Sequence, residues 1–220
     1  MSRLLVACAV LLGATSAFAQ APAAPASKAA PTAPKATAPA APTAPAPAQA
    51  DPRKAVAERT QAGLAQLPAP KPEDVKSIDS LLKAIYDVIS GPAGAPRDWQ
   101  RFRSLFYPGA TLVPLAHIPT APGLHARPFN VEEFITLSSG ATSKQGFFEK
   151  ETQRQMLGYG DLVQVMSTYE ARATQDGPPI IKGVNSIQVF NDGQRWWVMH
   201  IVWMDEKNAG IKVPADLTRK

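Results

Sequence analysis

Two glutamates, Glu149 and Glu151, stand two residues apart in the run GFFEKETQRQML, residues 146–157. Side chains two apart on a strand leave the same face, so both carboxyls would point the same way. Inside an apolar enclosure such carboxyls resist ionisation and can exchange protons as general acids or bases. His200, within RWWVMHIVWM at 195–204, is the third acid–base candidate. A plainer reading competes. Glu149, Lys150, Glu151, Glu170 and Arg172 could form cross-strand ion pairs on an exposed surface, with His200 a hydrogen-bonded core residue.

Tyr169, Asn185, Ser186 and Gln188 are polar residues inside apolar strands. In a pocket, Tyr169 and Asn185 would orient a ligand, while Trp99, Phe102, Phe106, Trp197 and Trp203 would supply contact area. Those aromatics serve equally well as core. No HExxH, GxSxG, phosphate-loop, GxGxxG or EF-hand pattern is present. His117 and His125 lie eight apart in a loop without a third ligand, so neither a metal nor another cofactor is expected.

The chain around these residues has three parts. Residues 1–19 carry Arg3, an apolar run from Leu4 to Leu12, and Ala17-Phe18-Ala19, which reads as a cleaved secretory signal and a periplasmic or secreted product. Cys8, the only cysteine, lies inside it, so the mature chain would have no disulfide and no thiolate. No other run is long and apolar enough to span a bilayer, so no stable membrane insertion is expected. Residues 20–50 are dominated by alanine and proline, a composition that cannot offset its ordering entropy and predicts an extended spacer. The net charge of +5 is spread without a dense basic block, which argues against nucleic-acid binding.

Residues 51–72 read as a connector with a short helix started by Asp51-Pro52, residues 73–206 as the globular domain and 207–220 as a tail. In EDVKSIDSLLKAIYDVISGP, residues 73–92, apolar residues recur at three and four and predict one amphipathic helix. Shorter helices are expected at 98–106 and at 131–140, the latter capped by Asn130 and stopped by Gly140. Strands are expected at 110–115, 146–157, 161–174, 182–190 and 195–204, with a proline-rich loop at 116–128. Asn191-Asp192-Gly193 marks a hairpin turn. Helices first and strands after predict an α+β fold with helices packed on an antiparallel sheet.

Strict alternation along the last strand puts Trp197, Met199, Ile201 and Trp203 on one face, and Trp196, Val198, His200, Val202 and Met204 on the other. Both faces are apolar, so both need cover. Helices can cover one. For the other, the connector looks too thin, which points to a homodimer through the outer sheet face.

STYEAR at 167–172, GVNSIQVFNDG at 183–193 and RWWVMHIVW at 195–203, in this order after a helical first half, resemble the nuclear transport factor 2-like superfamily, and its SnoaL-like bacterial members in particular. The resemblance covers residues 73–206. It implies a curved sheet wrapped around helices into a cone with an apolar pocket, and dimers through the outer sheet face. The superfamily holds isomerases, cyclases, epoxide hydrolases and non-catalytic binding domains, so the fold does not name the function. Its enzymes place an Asp, His or Tyr in the cone as acid or base, and no strand Asp here stands where an Asp-based member would need it. Three functions follow as expectations: a domain binding a small, largely apolar molecule, a cofactor-free isomerase, cyclase or hydrolase, and a dimeric interaction module.

Overall fold

A computed structural model describes residues 51–218. The signal and spacer readings, residues 1–50, lie outside the described residues. Helix α1, Pro52–Gln66, buries no side chain and rests on the sheet where Gly63 meets Pro108. The expected long helix is two, α2 at Pro72–Val75 and α3 at Ile78–Ile89. Ser77 separates them, because its extended backbone and side chain form a capping box with Ser80. Such a cap contributes about 1 kcal/mol, which outweighs continuing the helix through it. Helix α4, Trp99–Arg103, and helix α5, Val131–Thr142, follow the expected positions. Asn130 caps α5 as expected, and the helix runs past Gly140.

Six strands form one curved, unclosed sheet: β1 Phe106–Ile118, β2 Ala121–Ala126, β3 Phe148–Tyr159, β4 Leu162–Arg172, β5 Pro179–Asn191 and β6 Trp196–Asp205. Their order is β2-β1-β6-β5-β4-β3. Two features differ from the sequence reading. The proline-rich loop contains β2, paired back onto β1. The sheet is also not purely antiparallel, since β1 runs parallel to β6. Helices α3, α4 and α5 fill its inner face. Leu81, Leu82, Phe102, Leu105 and Phe106 pack there against Val165, Ile187, Val189 and Val198, all essentially without exposure.

Two β-bulges decide which side chains enter this interior. On β6, Val198 stands opposite Val189 and His200 opposite Gln188, so Met199 is the extra residue. A bulge shifts the alternation by one. Trp196, Val198, Ile201 and Trp203 therefore all face inward, and Trp197, His200 and Val202 face out. Neither alternating set expected from the sequence survives intact. On β3, Glu151 stands opposite Tyr169 and Gln153 opposite Thr168, with Thr152 as the extra residue. Glu149, Glu151 and Arg154 consequently share the inner face.

The tryptophans after the turn divide their work accordingly. Trp196 and Trp203 pack on the core from inside. Outside, the Trp197 indole donates to Asp192 Oδ2 at 2.7 Å, the Arg195 guanidinium lies 3.6 Å above its ring, and Tyr107 meets it edge-on at 5.4 Å. Asp192 Oδ1 also accepts from the backbone of Gln194 and Arg195, which fixes the hairpin turn.

The outer face has a cover in the chain itself. A short helix α6, Glu206–Ala209, and the segment after it cross β4, β5 and β6, enclosing about 200 Å³ above Met166, Val184, Val202 and Met204. Thr168 donates to the Leu217 carbonyl at 2.6 Å and Gln155 to that of Asp216 at 2.6 Å. No helix of the described residues is long and apolar enough to cross a membrane.

Candidate functional site

Polar side chains from four elements meet on the inner face: Tyr86 from α3, Glu149, Glu151 and Arg154 from β3, Ser167 and Tyr169 from β4, and Asn185 from β5. Their placement follows from the local sequence. Tyr86 lies four residues after Leu82, on the buried stripe of α3. Ser167, Tyr169 and Asn185 occupy inward positions of alternating strands whose neighbours are Val165, Ala171 and Ile187. Glu149 is held by its backbone. Its N–H donates to Ser90 Oγ at 2.9 Å and its carbonyl accepts from that hydroxyl at 3.2 Å, tying the edge strand to the end of α3. Arg97 fixes the turn leading there, its guanidinium donating to the carbonyls of Ile89, Gly91, Pro92 and Ala95.

The two glutamates are treated differently. Glu151 is ion-paired with Arg154, whose Nε lies 3.0 and 2.9 Å from its two carboxyl oxygens. Arg154 also reaches Asp79 at the surface at 2.5 Å. Ser167 donates to Glu151 Oε1 at 2.5 Å. Among the described residues Glu149 has no cation beside it, and its carboxyl accepts only from the Asn185 amide, at 3.3 Å. Burial, against that one hydrogen bond, pushes Glu149 up to about 8. Tyr86 and Tyr169 are held above the usual phenol range, first by burial and then by the Glu149 charge, which both face. Around pH 7 the interior therefore holds a neutral carboxyl and two neutral phenols.

Tyr86 and Tyr169 differ in what they offer. The Tyr86 hydroxyl is engaged by Ser167 at 2.7 Å and Asn185 at 3.1 Å. The Tyr169 ring crosses Gly183, where a Cβ would stand 2.6 Å from its hydroxyl. No hydrogen bond ties that hydroxyl to another described residue. Trp203 and Phe134, edge to face at 6.1 Å and both half-buried, border this region with apolar surface.

Of the sequence candidates, Glu149, Glu151, Tyr169, Asn185 and Trp203 share the inner face. His200 does not join them. It lies on the outer face, where Nδ1 meets Thr111 Oγ1 at 2.5 Å. Trp197 is also outside, separated from Trp203 by the Met199 bulge. Phe102 and Phe106 are core, their rings 4.6 Å apart, with Phe134 stacked on Phe102 at 5.3 Å and Trp99 edge-on at 5.7 Å. The surface ion pairs do form at Glu170, which bonds Arg172 at 2.8 Å and Lys182 at 2.9 Å, but Glu149 and Glu151 take no part. His117 and His125 bond carbonyls of their own hairpin, and their register puts them on opposite sides of it. Among the described residues no cluster of three or more His, Cys, Asp or Glu is arranged to hold a metal.

Tyr86, Ser167 and Arg154 were not singled out by the sequence. A tyrosine on an apolar helix stripe and a serine at an inward strand position were legible signals. Arg154 was hidden, because the Thr152 bulge turns it inward.

No family model matches the chain, and no curated protein matches it. Among solved structures, it is similar to a nuclear transport factor 2-like protein of unknown function from Silicibacter pomeroyi, at 15% identity and a TM-score of 0.40, covering 58% of this chain and 92% of that one. A nuclear transport factor 2-like protein of unknown function from Shewanella baltica is similar at 13% identity and a TM-score of 0.37, covering 59% and 97%. A protein from Kribbella flavida is similar at 11% identity and a TM-score of 0.42, covering 74% and 99%. With helices held inside a curved, unclosed six-stranded sheet, the described residues have the α+β architecture expected from the sequence.

Proposed function

We propose that the domain binds a small, largely apolar molecule beside Glu149, and that Glu149 exchanges a proton with it. One observation carries this reading: Glu151 is neutralised by Arg154, while Glu149, two residues earlier on the same face, has an amide and no cation. Two carboxyls whose surroundings differ in this way divide into a fixed charge and an acid–base group. Below about pH 8 Glu149 would donate a hydrogen bond, and above it would act as a base. The Tyr169 hydroxyl, with no hydrogen bond to another described residue, offers a second polar contact, and Phe134 with Trp203 an apolar one. The reactions this suits are cofactor-free proton transfers of the isomerase, cyclase or hydrolase kind. The leader and spacer at 1–50 would place the domain outside the cytoplasm, and a second copy would pair on the part of the outer sheet face that the tail leaves open.

Binding of uncharged phenols and cyclic ketones, followed by tryptophan fluorescence between pH 6 and 9.5, tests the reading. Binding that weakens roughly tenfold above pH 8 is expected, a loss of about 1.4 kcal/mol. Ketone α-hydrogens are expected to exchange with D2O, and this exchange to vanish in Glu149→Gln. Binding that is independent of pH and unaltered by Glu149→Gln, or no binding at all, would overturn it.

A further inference from the structure

We propose that Ser167, which does not touch the Glu149 carboxyl, is a positioning residue that fixes, through Tyr86 and Asn185, which Glu149 oxygen carries the proton. The inference rests on Glu149 being the acid–base group.

The direction of each hydrogen bond follows from one anchor. Arg154 engages both oxygens of Glu151, so Glu151 is an anion and only accepts. Ser167 Oγ lies 2.5 Å from Glu151 Oε1, and its single hydrogen goes there. The Tyr86 hydroxyl, 2.7 Å from Ser167 Oγ, must then be the donor of that pair. Its remaining lone pair faces the Asn185 amide at 3.1 Å, so the amide presents its NH2 group and not its carbonyl. The same nitrogen reaches Glu149 Oε1 at 3.3 Å. Oε1 accepts, and the proton of a neutral Glu149 sits on Oε2. Reversing any one link sets donor against donor or acceptor against acceptor, which is costly where water cannot intervene. Ser167 is wholly buried, and Tyr86 and Asn185 nearly so.

The other groups facing Glu149 do not supply this orientation. Tyr86 from α3 and Tyr169 from β4 are neutral phenols. Glu151 and Arg154 on its own strand neutralise each other. From β5, among the described residues, Asn185 alone hydrogen-bonds to it. In Ser167→Ala the Tyr86 proton loses its acceptor, and the Asn185 amide turns over to offer its carbonyl. That carbonyl then faces Glu149 and accepts from it, so the proton moves to Oε1. The carboxylate loses its only donor, and Glu149 binds its proton more tightly.

The test is carbon-13 NMR of the full chain labelled at glutamate carboxyls, with the Glu149 signal assigned by its loss in Glu149→Gln. Ser167→Ala is expected to raise the Glu149 midpoint by about half to one pH unit, three- to tenfold in proton affinity. Ser167→Thr, which keeps the hydroxyl, is expected to restore it. Tyr86→Phe removes the next link, is expected to shift it the same way, and serves should Ser167→Ala fail to fold. A purely structural role would lower stability and leave the midpoint within about 0.2 unit of wild type in either folded variant; that result overturns the proposal. A wild-type midpoint near 8 that neither variant moves defeats the positioning role alone. A wild-type midpoint in the ordinary carboxylate range defeats the acid–base reading and this inference with it.

Discussion

What sets Glu149 apart in the interior is what is missing beside it. Its neighbours on β4 and β5 are neutral, and the one arginine of the inner face, Arg154, is already committed to Glu151 and Asp79. This has a consequence for stability. Burial raises Glu149 from 4.5 to about 8, so the folded state holds its proton more tightly than the unfolded state does. The contribution is complete below about pH 4.5 and is lost as the pH climbs to 8, where an unpartnered charge must be tolerated. Urea unfolding should show wild-type stability falling between pH 5 and 8.5 by a few kcal/mol, on the order of 1.4 per pH unit. Glu149→Gln should flatten that slope and be the more stable protein at pH 8.5. An equal slope in both would mean the carboxyl is not enclosed. Much of this residue-level site was legible. Strand period alone placed Glu149 with Glu151, and polar residues in apolar strands flagged Tyr169 and Asn185. Period 2 could not place Arg154 or separate Trp197 from Trp203, since a single inserted residue in each strand is invisible to it.

Those insertions are the main lesson at the scale of elements. Were Met199 paired in regular alternation instead of bulged, Val198 and Ile201 could not both enter the core, and His200 would replace one of them. Deleting Met199 alone should keep the observed pairings and cooperative unfolding in a thermal melt, whereas deleting Met199 and His200 together should turn Ile201 and Trp203 outward and abolish it. Gly183 is a second element-level requirement. A methyl there meets the Met204 carbonyl at 2.6 Å as well as the Tyr169 ring, and a backbone atom cannot swing away. Gly183→Ala should cost about 1–3 kcal/mol in urea unfolding and change the near-ultraviolet circular dichroism as Tyr169 is displaced. Between helices, Arg101 on α4 holds Asp74 on α2 through two bonds of 2.7 Å, with the Asp74 side chain almost fully buried. That guanidinium keeps Asp74 below its ordinary range. Asp74→Asn breaks the pair, leaving Arg101 its longer contact with Asp87 at 3.9 Å, and should destabilise by about 1–3 kcal/mol. Helix starts were readable from caps, as at Asn130. The break at Ser77 was not, because a serine at the third helical position stands in for the usual glutamate of a capping box.

For the molecule as a whole, the two apolar faces of β6 correctly implied two covers, and the helices supply the inner one. The outer one is furnished in part by residues 206–217, a segment whose composition shows no apolar periodicity to announce it. Its hold depends on backbone carbonyls at Asp216 and Leu217, which no residue pattern encodes. Removing residues 209–220 should expose Met166, Val184, Val202 and Met204 and drive self-association at micromolar concentration, seen in sedimentation velocity. An unchanged sedimentation coefficient would mean the segment shields nothing. The interior, by contrast, is apolar around Phe102, Phe106 and Phe134 and polar where β3, β4 and β5 meet α3, where it encloses the Glu149 carboxyl.

That enclosure is tested most directly by the titration of Glu149 itself, read from its carboxyl carbon by NMR in the wild-type chain. A midpoint near 8, with Tyr169 still neutral at that pH, is the predicted result. A midpoint near 4.5 would mean that the carboxyl is solvated or paired, and that the inner face holds no acid–base group.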